Sequence, residues 1–406
     1  MVSVEETLLP FEVAGLKFRN QFLVASGPTT KNIGQLQEAE RWGWGGVSLK
    51  LAIDPPPYIN RQPRYHYWKT PKYLGFAAET RLTLEQALKL AEAGRKKTKD
   101  LIILANITYA GDRGMDGWID MARKLVAAGA HAIELNMCCP NMSFNIQVSG
   151  GGTRTPQTGA SLGQNAEIVG AATETMVKAL NVPVFVKLTP EGGKIAEVAK
   201  ACFEKGASAV VTTANRLGIP DFDINSPAQG PYRLQQEPCV ACLSGGWIKP
   251  LSLRDVFEMR TRVGPDHCIV GTGGVRNYVD AVQMMMCGAD MVGICTETML
   301  SGFDFLPALV KNLKKFMAER GYGACRDFRD AFARAVTPAD KLTLTDAYAQ
   351  VDANLCTGCG RCVKVGHCYA ISMKDGKAVI VPGDCTGCST CMDVCPVGAI
   401  SFVEKK

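Results

Sequence analysis

Near its C-terminal end the chain carries eight cysteines in two ladders, a spacing that ordinary core packing does not call for. Cys356, Cys359, Cys362 and Cys368 read C-x2-C-x2-C-x5-C. Cys385, Cys388, Cys391 and Cys395 read C-x2-C-x2-C-x3-C, with Pro396 next. A 4Fe–4S cubane needs four soft thiolates at its corners, and successive Cys-x-x-Cys turns supply three of them without strain. In two-cluster modules of this kind the fourth ligand crosses over. Cys395 is therefore expected to complete the cluster of Cys356, Cys359 and Cys362, and Cys368 that of Cys385, Cys388 and Cys391. The halves also repeat, CTGC…YAISM against CTGC…GAISF, as in a two-fold bicluster ferredoxin. Structural zinc is the competing reading, but a zinc site wants two Cys pairs, not two triplets. A ferredoxin module is an electron wire, so the residues before it should hold a group that uses electrons.

At 406 residues the chain has room for one large domain and a small one. A hydrophobic content of 47% with 21% charge describes a globular protein with a sizeable core. The first residues, MVSVEETLLPFEV, have no basic n-region, and no run of about eighteen apolar residues occurs. A soluble cytoplasmic protein without a membrane partner is expected. Of the 17 cysteines, the nine outside the ladders are scattered through apolar segments, which suits a reducing compartment. The formal charge of +6 gives little reason to expect a nucleic-acid partner. Two oxidised cubanes with their thiolates carry about −4 together and a flavin phosphate about −2, which brings the loaded protein near neutrality.

FEVAGLKFRN alternates around Gly15 and predicts a short hairpin. Eight strand-like runs follow: NQFLVAS (20–26), GGVSLK (45–50), LIILAN (101–106), HAIELN (131–136), PVFVKL (183–188), SAVVTT (208–213), CIVGTG (268–273) and DMVGIC (290–295). Segments with apolar residues at helical spacing lie between most of them. This alternation predicts a (β/α)8 TIM barrel, with a doubly wound sheet as the alternative. The expected organisation is a cofactor-binding barrel over 1–320, a helical linker over 321–350 and a ferredoxin-like domain over 351–406.

Polar residues stand where a barrel enzyme needs them. Ala25 and Ser26, Lys50, Asn106, Asn136, Lys187, Thr213 with Asn215, Gly273 with Gly274, and Cys295 with Thr296 lie at or just past strand C-termini. GTGG at 271–274 and GICT at 293–296 follow strands seven and eight, the usual phosphate-gripping loops. No G-x-G-x-x-G opens a βαβ unit, so a mononucleotide flavin fits better than NAD or FAD. Residues 137–165 and 216–250 are too long for ordinary connections and read as rim loops that close over a substrate.

With IELNMCCPN at 133–141 the chain resembles the flavin- and iron–sulfur-containing part of dihydropyrimidine dehydrogenase and the related bacterial catalytic subunit. It is similar, more distantly, to dihydroorotate dehydrogenase. ASGP at 25–28, FVKLTP at 185–190, the Asn215 segment, SGGWIKPLSLR at 244–254, GTGG and the terminal ferredoxin extend the resemblance over nearly the whole chain. It implies that Asn136 and Asn215 touch the substrate, that Lys50 and Lys187 touch the flavin, and that Cys139, before Pro140, is the catalytic acid/base. It also implies that Gly245, Gly246, Gly273, Gly274, Cys295 and Thr296 surround the flavin phosphate and ribityl chain. The pyrimidine enzymes have a ring-binding Asn two residues before a Glu. Here Ala77 replaces that Asn while Glu79 is kept, and Arg216 follows Asn215 where the family has Thr. Both departures predict a substrate more anionic or more apolar than a pyrimidine.

The expected activity is electron transfer, through two 4Fe–4S clusters and FMN, to or from a CH–CH bond of a small ring or conjugated compound. An ordinary thiol is mostly protonated at neutral pH, as a proton donor should be. The partners expected are an NAD(P)H-oxidising flavoprotein subunit or a ferredoxin, and a second copy of the chain in a homodimer or larger assembly. Cys138 is read as a small buried hydrophobe, and the pair Cys239-x-x-Cys242 as ordinary loop cysteines. His66, His131, His267 and His367 are read as structural. A dihydroorotate dehydrogenase-like enzyme, a tRNA dihydrouridine synthase and a purely electron-transferring subunit are the alternatives. The synthases carry a basic helical C-terminal domain where this chain has a ferredoxin, and an idle barrel would have lost the flavin-site residues that are present here.

Overall fold

The eight predicted runs become eight parallel strands: β1 Phe22–Val24, β2 Gly46–Ser48, β3 Ile102–Tyr109, β4 Ala132–Met137, β5 Val184–Leu188, β6 Ala209–Val211, β7 Cys268–Thr272 and β8 Met291–Ile294. Each pairs with the next, and β8 returns to β1 with Gly293 opposite Leu23, so the sheet closes. This is the barrel, seen in a computed structural model that describes residues 4–56, 60–70, 72–77, 79–139, 159–212 and 215–404. The chain divides into two compact units, Met1–Ala335 and Val336–Lys406.

Strand periodicity explains how the first unit buries its strands and also builds a site. Successive side chains alternate faces. On β4, Ile133, Leu135 and Met137 face outward into the main core shared with the surrounding helices. Ala132 turns inward, into a second cluster with Leu23, Leu104, Phe185 and Met291. Glu134 and Asn136 share its parity, so the inward row changes from apolar to polar toward the strand's C-terminal end. On β5 the inward row runs from Phe185 to Lys187 in the same way. The predicted hairpin pairs Phe11–Val13 with Leu16–Phe18 around a two-residue turn. Ala14 and Gly15 both have positive φ, +48° and +79°, the turn that matches strand twist. Its apolar residues pack on the inward cluster and cover the apolar end of the barrel.

Helices connect the strands, among them Ile33–Arg41, Leu84–Lys97, Ala166–Ala179, Lys249–Val263 and Tyr278–Met286. Asn32, Thr83, Asn165 and Asn277 cap four helices by accepting backbone N–H groups. The loops after β2 and β6 do more than cover the mouth. They form a four-stranded antiparallel sheet of Tyr65–Lys69, Lys72–Phe76, Ala241–Ser244 and Arg216–Gly218. The 216–250 stretch is therefore only partly a loop, since Arg216–Gly218 pairs with Ala241–Ser244, which in turn pairs with Leu74–Phe76, some 170 residues earlier in the chain.

In the second unit Ala347–Val351 pairs with Ile400–Glu404, and Ile371–Lys374 with Lys377–Ile380, matching the internal repeat. Its small core holds Ala349, Cys362, Ala378, Cys391 and Ile400. Residues 321–350 depart from the expected helical linker. They hold one short helix, Ala331–Ala335, and from Ala347 they are strand. The alternation in AYAQV, with Ala349 buried, fits the ladder with 400–404 and overrides the helical reading. Among the described residues no helix is long and apolar enough to cross a membrane.

Candidate active site

At the C-terminal mouth of the barrel the inward-facing polar ends converge on one cavity. Ala25, Ser26, Lys50, Asn136, Lys187, Cys295 and Thr296 line it, with Cys139, Glu79 and Asn215. Tyr65, Tyr67, Leu74, Phe76, Cys242 and Ser244 reach it from the antiparallel sheet. Three expected site residues stand apart. Asn106 lies below the cavity, as a support for Asn136. Arg216 is not among the lining residues, and its guanidinium donates to the buried Asp255 at 2.5 Å. Thr213 lies outside the described residues, as do Pro140 and residues 141–158 of the long fourth loop.

A chain of hydrogen bonds sets the position of Cys139. Glu134 accepts from Ser48 Oγ at 2.9 Å and from Asn106 Nδ2. Asn106 Oδ1 in turn accepts from Asn136 Nδ2 at 2.9 Å. Asn136 Oδ1 accepts the backbone N–H groups of Cys138 at 3.3 Å and Cys139 at 3.2 Å. Asn136 thus shapes the strand-end turn as well as lining the cavity. The two cysteines diverge as expected of neighbours. Cys138 is buried, with Sγ 3.4 Å from Asn136 Oδ1, while Cys139 is half-buried and receives Arg81 Nη2 at 3.7 Å. Lys187 is buried on β5. Burial disfavours its charge, but Cys138 and Glu134, with the further thiols Cys295 and Cys139, outweigh that and raise it above the ordinary lysine value. Lys50 contacts Glu79, whose other oxygen takes the Tyr65 hydroxyl. Burial, and then the Arg81 cation, push Lys50 down to about 7, against the pull of Glu79.

The opposite side of the cavity is backbone. Gly245, Gly246, Gly273 and Gly274 line it beside the turn into Thr296–Ser301. Gly274 has φ +74°, and a Cβ there would stand 2.6 Å from Lys249 Cβ and 2.8 Å from its backbone. Only glycine lets these two turns approach so closely. Thr296 Oγ1 donates to Ser244 Oγ at 3.1 Å and ties the turns together, with Arg276 on the rim. Open backbone with a nearby cation at one end, and the buried ammonium of Lys187 among the lining residues, suit a flavin phosphate and a flavin ring that accepts negative charge on reduction. The residues present fit a flavin.

The second unit contains two cysteine-lined cavities. Cys356, Cys359, Cys362 and Cys395 line one, and Cys368, Cys385, Cys388 and Cys391 line the other, which Cys362 also borders. The crossed sets expected from the ladder spacing therefore share walls. Backbone N–H groups reach the sulfurs, from Ala349 to Cys385 and from Ala399 to Cys395, each at 3.3 Å. N–H groups of Ala378 and Gly358 hold the Cys356 thiol below its ordinary value. Such donors favour thiolate over thiol, as iron ligation requires.

Comparison with known proteins decides the family. The dihydroorotate dehydrogenase family model matches residues 8–317, and a 4Fe-4S dicluster domain model matches 355–399. The chain belongs to the dihydroorotate dehydrogenase family. It is 26% identical over 364 residues to the NAD-dependent dihydropyrimidine dehydrogenase subunit PreA of Escherichia coli, covering 87% of this chain and 84% of that one. It is 26% identical over 342 residues to the chloroplastic dihydropyrimidine dehydrogenase (NADP(+)) of Arabidopsis thaliana, covering 79% and 76%. A third relative, the catalytic subunit of dihydroorotate dehydrogenase B (NAD(+)) of Bacillus cytotoxicus, is 27% identical over 330 residues, covering 78% and 94%. This member of the family is an oxidoreductase acting on CH–CH bonds, with a flavin implied by its barrel and 4Fe–4S iron by its C-terminal domain.

In this dihydroorotate dehydrogenase-family chain, sequence reading missed several cavity residues. Arg81, Tyr65 and Tyr67 belong to the insertion after β2, which carries no strand-end signal. Glu134 was legible in principle, since it shares the inward parity of Asn136 two residues on. The histidines are structural where their contacts show. His131 Nδ1 accepts the Ile103 N–H at 3.0 Å, and the His66 and His267 rings lie against Trp68 and Phe203.

Proposed function

We propose that this chain is the cofactor-carrying catalytic subunit of a dihydropyrimidine dehydrogenase-like oxidoreductase. It would exchange electrons between a redox partner and a C=C bond of a small ring or conjugated compound, through FMN and two 4Fe–4S clusters. The observation that carries this reading is the convergence of Cys139, Asn136, Asn215 and Lys187 with the Gly245–Gly246 and Gly273–Gly274 turns on one cavity. The turns form a single phosphate cradle, and no dinucleotide loop opens a βαβ unit, which favours FMN. Two cavities, each lined by one of the crossed sets of four cysteines, support two clusters.

When bound, the flavin supplies hydride transfer to or from carbon. Lys50 and Lys187 would hold its ring edge, and the Gly245–Gly246 and Gly273–Gly274 backbone with Thr296 its phosphate. Cys139 would give a proton to the carbon beside the one that takes hydride, or remove it in the oxidative direction. Asn136, held from below by Asn106, keeps the Cys139 turn in place while it and Asn215 orient the substrate. Tyr65, Tyr67 and Phe76 narrow the mouth and exclude water. With no dinucleotide loop in the chain, electrons would come from an NAD(P)H-oxidising flavoprotein subunit or a ferredoxin, in a cytoplasmic assembly containing at least two copies of the chain.

Cofactor analysis and turnover of a panel test this. FMN and about eight iron per chain are expected, together with product formation, identified by mass spectrometry, from unsaturated rings or conjugated acids with a reduced dye. FAD in place of FMN, or iron near four per chain, would remove the cofactor assignment. Efficient NADH oxidation by the isolated chain would remove the need for a partner.

A further inference from the structure

Among the residues lining the active-site cavity, one buried guanidinium has no carboxylate paired with it among the described residues. Arg81 is 3% exposed and precedes the short strand Leu82–Thr83. Its backbone is fixed from both sides, because its N–H donates to Asn60 Oδ1 at 2.7 Å and its carbonyl accepts Asn60 Nδ2 at 3.0 Å. The guanidinium therefore sits on a rigid stem beside the proposed proton donor, with Nη2 3.7 Å from Cys139 Sγ. Two carboxylates line the cavity, and neither pairs with it among the described residues. Glu79 is held by Lys50 and Tyr65, and Glu297, on the cradle helix, accepts Ser301 Oγ at 2.5 Å. The stretches outside the described residues that flank the cavity, 140–158 and 213–214, contain no Asp or Glu, so they supply no side-chain carboxylate either.

A buried guanidinium without a counter-charge is costly unless a ligand brings one. Glu134 favours the charge of Lys187 and Glu79 is taken by Lys50 and Tyr65, so neither offsets Arg81. Its planar fork also matches a carboxylate better than an ammonium would. We propose that Arg81 anchors a carboxylate on the substrate, so that the compound reduced or oxidised here is an unsaturated carboxylic acid, not a neutral pyrimidine. This rests on the flavin-dependent CH–CH reading of the site and names its substrate class. The sequence pointed to an anionic substrate through Arg216, but Asp255 binds that residue, and the buried guanidinium lining the cavity is that of Arg81. Ala77, in place of a ring-binding amide, agrees with the loss of pyrimidine recognition.

The test uses the purified holoprotein, after flavin and iron analysis, titrated with matched acid and neutral probes: cinnamate with cinnamamide, and orotate with uracil. Binding is read as perturbation of the flavin absorbance. In the wild type the acid of at least one pair should bind about tenfold or more tightly than its neutral partner. Arg81→Gln should weaken that acid by about 30-fold or more and leave the neutral partner within about threefold. Arg81→Lys, which keeps the charge without the fork, should fall between and guards against a folding defect in the Gln variant. Neutral partners binding as well as their acids, no acid perturbing the flavin, or an undiminished acid preference in Arg81→Gln would each overturn the assignment. A wild-type preparation that carries no flavin would instead sink the reading of the site itself.

Discussion

Arg216 Nη2 donates to Asp255 Oδ2 at 2.5 Å, joining the antiparallel sheet over the mouth to the helix Lys249–Val263 that follows the Gly245–Gly246 turn. Asp255 is fully buried, and burial raises its carboxyl above the ordinary value even with Arg216 and Arg254 drawing it down. Arg216 therefore has a structural role, and its removal leaves a buried carboxylate in poor company. Arg216→Met should lower stability by about 3–5 kcal/mol, and adding Asp255→Leu should restore most of it. Urea unfolding of the two variants checks this. A fall in substrate affinity with unchanged stability would return Arg216 to the substrate.

Both cysteines line the cavity, but Cys139 is half-buried, while the Cys138 sulfur is buried against the Asn136 amide. Cys139→Ala should retain flavin and iron and cut turnover by about 100-fold or more, as for loss of a general acid. Cys138→Ala should cost much less. Equal losses from the two would leave no ground for choosing Cys139 as the proton donor.

The crossed cysteine sets make a prediction that simple spacing does not. Cys395→Ser should lower iron from about eight to about four per chain, and adding Cys356→Ser should remove no more. Combining Cys395→Ser with Cys385→Ser should remove both clusters. Iron analysis with EPR of the reduced variants distinguishes this from an uncrossed arrangement, in which Cys395 and Cys385 would share a cluster.

Lys50 is subject to opposed influences. Burial, and then Arg81, lower it from 10.5 to about 7, while the Glu79 carboxylate in contact favours its charge. If burial prevails, the unfolded chain binds this proton more tightly between those two values. Stability contributed by Lys50 then rises with pH across that window. The urea midpoint of the wild type relative to Lys50→Met should accordingly climb between pH 7 and about pH 9.5. A pH-independent difference would mean that Glu79 keeps the ammonium charged throughout.

Sequence alone determined the features that depend on neighbours a few residues apart. Cysteine turns at three-residue spacing, eight apolar runs and the glycine pairs at strand ends are local patterns, and each maps onto a cavity wall, a barrel strand or the cradle. Position at or just past a strand C-terminus also placed Lys50, Asn136 and Lys187 at the mouth, because that end of each strand opens on the rim where a barrel builds its site. Only the tertiary structure decided which of two arginines lines the cavity. Arg216 and Arg81 look alike in the sequence. One meets a carboxylate 39 residues away on a helix, and the other, set in an insertion that becomes part of the cavity wall, meets none among the described residues. Asn106 likewise reads as a rim residue until the register of β3 against β4 puts its amide under Asn136. The strand identity of 216–218 and 241–244 was hidden for the same reason: a strand is fixed by the partner that satisfies its backbone, and here 216–218 pairs with 241–244, which pairs in turn with 72–76.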